Sequence, residues 1–229
     1  QVVTNTHIDP SAKRFTSYNN VAGTYMTWMG AYWNKSFKKE TNTFKLGVGF
    51  NSGFSKYKGF TNGQLYESDD INFSPSVELS YEYGELLTVS PSYKFEYNES
   101  NYSNYIISSA SNVRHNFNLE TTAYWPKHFV FGNDFQYTYN TNLGAGFKKD
   151  FYLWNTSIGY NFLKDKMLFK VKVYDVLNQN LGTSRSITPT GITDSQDTVL
   201  KRYVMFSLTF KIQKFGAKEK KEGDGIMMW

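Results

Sequence analysis

Cysteine is absent from the 229-residue chain, and its absence excludes disulfides, thiol catalysis and cysteine-ligated metal sites. Long apolar runs are absent too, since no stretch approaches the ~18 apolar residues that a transmembrane helix needs. Histidine and proline are scarce, with three and five residues. The chain has no H-E-x-x-H sequence and no glycine-rich loop leading into a helix. A helical membrane anchor, a thiol enzyme and the common motif-bearing metalloenzymes are therefore disfavoured.

Aromatic residues are abundant, with 18 Tyr, 19 Phe and 5 Trp. The mean hydropathy is nevertheless −0.53, so the chain is polar on average. Apolar groups must then occupy narrow faces rather than a thick core, as in transmembrane barrels, where alternate residues of each strand contact lipid. The net charge of +5 is spread out without a basic helix or compact basic patch, so nucleic acid is not expected as a partner.

The clearest pattern is the alternation of apolar and polar residues on both sides of a turn at residues 84–86. Successive side chains of a strand point to opposite faces, so each strand has one apolar and one polar face. Before the turn the alternation covers the 13 residues 71–83. Ordinary strands have about 5–6 residues, whereas a strand that crosses a bilayer needs about 9–11. The pattern therefore predicts membrane-spanning strands.

Alternation along the rest of the chain predicts nine strands, joined in turn by short and long connections. Tight turns at one end and long loops at the other are typical of bacterial outer-membrane barrels, whose tight turns are periplasmic. We therefore expect an all-β fold, a transmembrane antiparallel up-and-down β-barrel in the bacterial outer membrane, with the C-terminus in the periplasm. The predicted strands are 24–37, 43–58, 71–83, 87–98, 112–125, 129–140, 150–162, 167–176 and 199–213, and the predicted long loops are 59–70, 99–111, 141–149 and 177–198.

Residue parity predicts which side chains share a face. Cross-strand neighbours must lie on one face, so the short turns should place Tyr83 opposite Leu87 and Trp125 opposite Phe129. In the first two strands we assign Met29, Ala31, Trp33, Phe44, Leu46, Val48, Phe50 and Phe54 to the lipid face, and Lys45, Gly47, Gly49, Asn51 and Gly53 to the interior. Pro75 and Pro91 lack an N–H group and predict a bulge or a local loss of pairing.

Aromatic residues concentrate beside the short turns. Amphipathic rings favour the depth at which a bilayer meets water, and together these residues predict an aromatic girdle. The alternative is that aromatic residues simply favour strands. The girdle residues are Trp33, Tyr83, Trp125, Phe129, Tyr160 and Phe162.

Nine is an odd number, whereas single-chain bacterial barrels have an even number of strands. Free sheet edges in hydrocarbon are also excluded, because each unpaired backbone group costs several kcal/mol there. The chain begins at Gln1 in a predicted loop, without an initiator Met or a signal peptide. We therefore expect the C-terminal part of a larger barrel, or a wall that another polypeptide completes.

Two segments carry a family resemblance. The sequence VKVYDVLNQN at 171–180, followed by VLKRYVMFSLTFKI at 199–212, resembles the last hairpin of TonB-dependent-receptor-like outer-membrane β-barrel proteins. The matching positions are Asp175, Asn178, Arg202 and Tyr203. The resemblance implies a 22-stranded barrel with an N-terminal plug and TonB-type partners, in which this chain is the C-terminal wall of a transporter or receptor.

The predicted last strand and the tail have separate roles. An alternating apolar face on the last strand is what the barrel-assembly machinery would pair with by strand addition, and it consists of Phe206, Leu208, Phe210 and Ile212. We assign 1–215 to the barrel and 216–229 to a periplasmic tail. The tail is either disordered or a small partner-docking motif.

Other function classes stay open as alternatives. The runner-up is a structural or assembly subunit of a larger outer-membrane complex, and a barrel hydrolase is a second, disfavoured one. The histidines are His7, His115 and His128. His128 lies in a short turn and His115 on the lipid-side parity near a long loop, so neither is framed by a nucleophile and an orienting acid, and an enzyme is not expected. Glu67, Asp69 and Asp70 could bind calcium in an outer loop, although solvated carboxylates seldom do. No cofactor and no resident metal are expected.

Overall fold

The computed structural model describes residues 2–61, 63–104, 107–180, 182–188, 191–197 and 199–211. These residues form thirteen β-strands and no helix, so none of them belongs to a helix that could cross a membrane. The strands are β1 (Val2–Ile8), β2 (Arg14–Asn20), β3 (Tyr25–Lys39), β4 (Asn42–Thr61), β5 (Gln64–Tyr83), β6 (Leu87–Ser103), β7 (Ser109–Ala123), β8 (Phe129–Asn140), β9 (Asp150–Phe162), β10 (Met167–Tyr174), β11 (Gly182–Thr188), β12 (Gly191–Asp197) and β13 (Tyr203–Phe210).

Eleven of the described strands belong to one sheet. Its main part is an antiparallel meander in the order β3-β4-β5-β6-β7-β8-β9-β10-β13. The β1–β2 hairpin joins the far end of β4 through a short parallel ladder at Phe60 and Thr61. Strands β11 and β12 pair only with each other and form a separate hairpin. We call the meander the wall.

Each of the nine predicted strands overlaps a strand of the wall, so their existence and order are confirmed. The last of them, predicted at 199–213, is a strand from Tyr203 to Phe210, and residues 212–213 lie outside the described part of the chain. Tyr83 lies opposite Leu87, as parity predicts. The β7–β8 ladder has the register that would bring Trp125 opposite Phe129, but its last pair is Ala123 with Phe131. The turn that follows is closed by a hydrogen bond of 2.9 Å from the Phe129 N–H to the carbonyl of Pro126.

The prolines interrupt one ladder without shifting it. The β5–β6 pairing is lost at Ser74 and Pro75, and again where Leu79 and Ser80 face Ser90 and Pro91. The register is the same on both sides of each gap, so local loss of pairing occurs rather than a bulge. Both prolines keep their pairing with the strand on their other side. This is the expected result where a proline removes one N–H group from one ladder.

Three of the four predicted long loops, 59–70, 99–111 and 177–198, are wrong, because each contains strand residues. Residues 59–70 and 99–111 are mostly strand, because β4 pairs with β5 up to Thr61 and β6 pairs with β7 up to Asn101. The β1–β2 and β11–β12 hairpins were likewise predicted as loops. Apolar alternation is weak in all four segments, because the faces of these ribbons are largely polar. Backbone pairing and cross-strand ion pairs such as Lys58–Glu67 and Arg185–Asp194 hold their strands together. Residues 141–149 do connect β8 and β9 without a strand, as predicted.

The wall has one apolar and one polar face, and the register aligns them across all its strands. Phe44, Leu46 and Val48 lie directly opposite Tyr81, Leu79 and Val77, whereas Lys45, Gly47 and Gly49 lie opposite Ser80, Glu78 and Ser76. The assignment of Met29, Ala31 and Trp33 to the apolar face is confirmed by their register with Ser52, Phe50 and Val48. Leu143 is the one buried apolar side chain among the described residues, so the wall has no packed core on either face.

Candidate functional site

The apolar face is a continuous band of exposed rings and branched side chains. The rings of Phe129 and Tyr160 pack edge to face with their centres 5.0 Å apart, and the ring centres of Tyr137 and Tyr152 are 4.9 Å apart. Apolar pairs also continue to the last ladder, where Phe169 faces Leu208 and stacks with Phe206 at 6.4 Å. In water a band of this size would be an aggregation surface, whereas hydrocarbon solvates it.

Five of the six predicted girdle residues lie at the short-turn edge of this face: Tyr83, Trp125, Phe129, Tyr160 and Phe162. Trp125 is 71% exposed and projects from its turn. Trp33 lies farther from the edge, opposite Val48 and six residues before Lys39 at the end of β3. The depth of these rings in a bilayer remains a prediction.

The polar face carries cross-strand hydrogen bonds and ion pairs. Lys45 contacts Glu82 at 2.5 Å, and Glu96 contacts Lys94 at 2.7 Å and Arg114 at 3.8 Å. Farther along, the Nδ2 amide of Asn155 donates to Asp134 at 3.2 Å. A groove of about 630 Å³ opens on this face near the short turns, and its lining includes Tyr32, Lys45, Glu78, Ser92 and Glu120. The polar face can thus line a wet interior or hold a packed protein segment.

The four residues of the resemblance meet at the long-loop end of β10. Asp175 is 1% exposed, and its carboxylate accepts hydrogen bonds from the backbone N–H groups of Gln179 at 2.8 Å and Asn180 at 3.0 Å. The Asn178 side chain accepts from the Arg202 N–H at 3.3 Å, and the Arg202 guanidinium donates to the Val176 carbonyl at 3.2 Å.

The fourth of these residues begins β13. Tyr203 lies opposite Tyr174, and the two rings stack at 4.6 Å with their planes 13° apart. The Lys172 ammonium lies 4.4 Å from the Tyr174 ring centre. Together the four residues hold the chain as it leaves β10 and returns into β13. Their geometry is that of a structural clamp, with backbone groups as the partners of the polar side chains.

The last strand forms one edge of the wall. Phe206, Leu208 and Phe210 are on its apolar face and are 67%, 60% and 58% exposed. Ile212 and the tail 216–229 lie outside the described residues. The described part of β13 therefore has the two features that strand addition requires, an unpaired backbone edge and an apolar face.

The outer ends of β4 and β5 carry a charge cluster. Lys58 contacts Glu67 at 2.7 Å, and Lys56 contacts both Glu67 at 3.3 Å and Asp69 at 3.5 Å. Lys56 is the fifteenth residue of β4, beyond the ~9–11 that a bilayer requires. The hydrogen bond from Lys58 is the main cause that holds the pKa of Glu67 below its ordinary value. Two lysines thus occupy Glu67 and Asp69, two of the three carboxylates that the sequence suggested for calcium, and the third, Asp70, accepts hydrogen bonds from the Ser68 hydroxyl.

The histidines lie apart from one another. His115 is on the apolar face, where its Nδ1 is 2.7 Å from the Tyr93 hydroxyl and its ring lies between Phe95 and Tyr139. His128 contacts Asp165 at 3.3 Å between two short turns. Within the described ranges, no group of three or more His, Asp or Glu residues is placed to hold a metal ion.

Sequence reasoning missed one tertiary contact at the long-loop end. The Arg185 guanidinium on β11 donates two hydrogen bonds of 2.6 Å to Asp194 on β12, above Gly144 in the β8–β9 connection. The hydrogen bond from Arg185 is the main cause that lowers the pKa of Asp194. A signal for this hairpin was present in β-branched residues on both sides of Pro189-Thr190-Gly191.

Comparison with known proteins gives one family. The sequence model described as an outer membrane protein beta-barrel family matches residues 84–210. The matched segment begins in the turn before β6 and ends with β13, and it includes both the clamp and the β11–β12 hairpin. No curated protein matches the chain significantly.

Proposed function

The chain belongs to the outer membrane protein beta-barrel family, whose model covers more than half of its length, and on that premise we propose that it is the C-terminal wall of a TonB-dependent-receptor-like transporter or receptor. The observation that carries this proposal is the wall itself, whose register keeps one mainly apolar and one mainly polar face, with exceptions such as Trp28 on the polar face and Asn133 on the apolar face. The apolar face contacts outer-membrane lipid, and the polar face lines the interior of the barrel.

The proposed orientation follows from the two ends of the wall. Its strands are joined at one end by connections of two to five residues, such as 40–41 and 84–86. At the other end the β4–β5 and β6–β7 pairs run on as polar ribbons before connections that are also of two and five residues, and the longer connections are 141–149 and the segment that contains the β11–β12 hairpin. Tight turns are periplasmic in this class of barrel, so we place the end of β13 and the C-terminus in the periplasm and the hairpins outside the cell.

The edges of the wall require additional strands. Eight antiparallel ladders separate β3 from β13, so the two edge strands run in the same direction. An antiparallel closure therefore needs an odd number of further strands. Unpaired edges in lipid cost several kcal/mol for each backbone group. The 13 strands that a 22-stranded barrel would add, from the same polypeptide as a plug, satisfy this requirement.

Further partners follow from the same assignment. The barrel-assembly machinery would pair with β13 during insertion, since Phe206, Leu208 and Phe210 extend its apolar face along an open edge. TonB-type coupling would act through the plug. We propose no catalytic role, because the histidines contact rings and a turn carboxylate rather than a nucleophile aligned with a base.

The intact mass of the native polypeptide tests this proposal. Antibodies against the exposed β12 strand would recover the protein from outer membranes for denaturing mass spectrometry. We expect a polypeptide much heavier than the 26.5 kDa of this chain, with the added sequence preceding β1. A mass near 26.5 kDa together with separate co-purifying chains would overturn the proposal and support a structural or assembly subunit instead.

A further inference from the structure

The β11–β12 hairpin lies outside the wall but remains attached to it at one end. It follows β10 and precedes β13, so both of its stems leave from the long-loop edge. Its strands make a two-stranded sheet of their own, without a ladder to any other described strand. Its position is therefore set by side-chain contacts.

These contacts place the hairpin on the polar side of the wall. Ile187 of β11 shares a small cavity of about 140 Å³ with Asn98, Tyr102 and Asn112, which belong to the polar face of β6 and β7. At the long-loop ends of these two strands, the polar-face residues Ser100, Tyr102, Ala110 and Asn112 are half-buried, whereas Asn101, Ser103, Ser109 and Ser111 on the opposite face are exposed. The contrast is confined to these ends, because Asn98 on the polar face is exposed and Glu99 on the opposite face is half-buried. The covered side is thus the side that faces the barrel interior.

The burial of alternate residues within the hairpin also indicates which of its faces lies against the wall. Thr183, Arg185 and Ile187 of β11 are half-buried, whereas Ser184 and Ser186 between them are exposed. Strand β11 therefore presents one face inward, and β12 lies on the outside. The hairpin starts at β10 and reaches β6, which lies four strands away. With about 4.8 Å between neighbouring strands, it crosses roughly 19 Å of the polar face.

A cross-strand ion pair within the hairpin lies against a glycine of the β8–β9 connection. The Arg185 guanidinium and the Asp194 carboxylate are joined by two parallel hydrogen bonds, and both groups lie against Gly144, where any side chain would collide with them. The Asn142 amide donates to the Arg185 carbonyl at 3.4 Å. Leu143 beside them is 6% exposed. Residues 142–144 of the β8–β9 connection thus pack closely against the hairpin.

We propose that the β11–β12 hairpin is a strap folded inward across the outer mouth of the barrel, latched where the Arg185–Asp194 pair rests on Gly144. The strap narrows the route from outside to the polar face, and its release widens that route. The narrowing of the route rests on the proposed function, because it requires the polar face to be the interior of the barrel. The packing of the hairpin against the polar face is independent of the proposed function.

Distances between spin labels test the seating. This chain has no cysteine, so Ser184→Cys on the exposed side of β11 and Ser111→Cys on the exposed side of β7 give one label pair within it, and any cysteine in the rest of the full-length protein is replaced by serine before labelling in vesicles. We expect one narrow distance distribution. It should broaden and lengthen in Arg185→Ala and in Gly144→Val, and it should narrow again in the charge swap Arg185→Asp with Asp194→Arg.

Gly191→Ala is the matched control, because a methyl group there meets open space, and its distribution should stay narrow. A broad distribution in the unaltered protein would overturn the strap. A narrow one in both Arg185→Ala and Gly144→Val would overturn the latch. Circular dichroism of the wall separates local release from unfolding, and the charge swap keeps the test decisive if one single variant misfolds.

Access to the interior tests the narrowing. Asn98 lies on the polar face beside the hairpin and is exposed, and Asn98→Cys would be the one thiol of this chain. In intact cells, a polymer-linked maleimide should label it about fivefold or more faster when Arg185→Ala is added, as the release of a latch worth a kcal/mol or more implies. A small maleimide should react at similar rates in both. Equal polymer rates with a released hairpin would show that the strap does not narrow the mouth.

Discussion

The hydroxyl of Tyr32 on β3 donates a hydrogen bond of 3.2 Å to Glu78 on β5, and the Tyr32 side chain crosses the whole width of β4 to reach it. The ring passes above Gly47 and Gly49, which leave room for it on the polar face. These two glycines thus have a packing role, and the Tyr32–Glu78 bond fixes the first three strands of the wall against one another.

A side chain at Gly49 should displace the Tyr32 ring. A methyl group there would lie 2.9 Å from Cδ2 of Tyr32 and 3.3 Å from Oγ of Ser76. We expect Gly49→Val to lower the free energy of unfolding by about 1–3 kcal/mol, which is the usual cost of overpacking, as measured by urea titration in vesicles. Gly191→Ala is the control and should leave the midpoint unchanged. A Gly49→Val protein with an unaltered midpoint would contradict the packing role.

Asp175 should be a structural residue of the clamp. Asp175→Ala removes the acceptor of two backbone N–H groups in a half-buried turn. We expect a loss of about 1–3 kcal/mol in the free energy of unfolding, because both donors would be left without a partner in the protein. Asp175→Asn keeps one acceptor oxygen and should lose less, and Glu85→Gln at an exposed turn should lose almost nothing. Equal stability of the Ala variant and the parent would refute the clamp.

The Tyr174–Tyr203 stack should contribute through its rings. Aromatic pairs of this kind add about 0.5–1.5 kcal/mol beyond area burial. We therefore expect Tyr203→Ala to lower the urea midpoint measurably and Tyr203→Phe to leave it nearly unchanged. If the Phe variant were as unstable as the Ala variant, the hydroxyl rather than the ring would be the stabilising group.

The seating of the hairpin should depend on pH on the acid side. The pKa of Asp194 is lowered in the folded state, chiefly by the hydrogen bond from Arg185. A lowered folded-state pKa gives stabilisation that is complete above the ordinary aspartate pKa of about 3.9 and is lost as the pH falls through the folded-state value. Lys148 in the connection beneath donates to Gln179 rather than to this pair.

The Ser184–Ser111 label distance measures this dependence. The distribution of this distance should stay narrow from neutral pH down to about pH 4, and it should broaden at lower pH. Asp194→Asn removes the titrating group, so its distribution should not change over the same range. A transition near pH 6 instead would indicate a histidine and contradict the role of Asp194.

The wall was predictable because a period of two leaves a direct record in the sequence. Strands such as β5 and β9 keep apolar residues on one face over their membrane-spanning lengths, so alternation located them and parity set the Tyr83–Leu87 pair. The polar ribbons at the long-loop ends of the strands have no such alternation in their sequence. Lys56 and Glu67 meet through charge, and a ribbon with water on both faces needs no apolar side.

The site was predictable only as a set of residues. The resemblance identified Asp175, Asn178, Arg202 and Tyr203, but their joint action in one clamp depends on backbone groups that no motif displays. The contact of Arg185 and Asp194 with Gly144 joins segments about 40 residues apart in sequence. Such a contact requires the tertiary structure, because neither segment has a periodic pattern.

The accessibility of neighbouring residues on opposite faces tests the central claim most directly. Single cysteines at Val77, Val89 and Leu208 on the apolar face, and at Ser76, Ser90 and Ser207 on the polar face, can each carry a spin label in the full-length protein in lipid vesicles. The account requires the first set to be relaxed by oxygen dissolved in hydrocarbon and the second set to be shielded from it. Equal relaxation of both sets by a water-soluble nickel reagent would contradict a wall with lipid on one face.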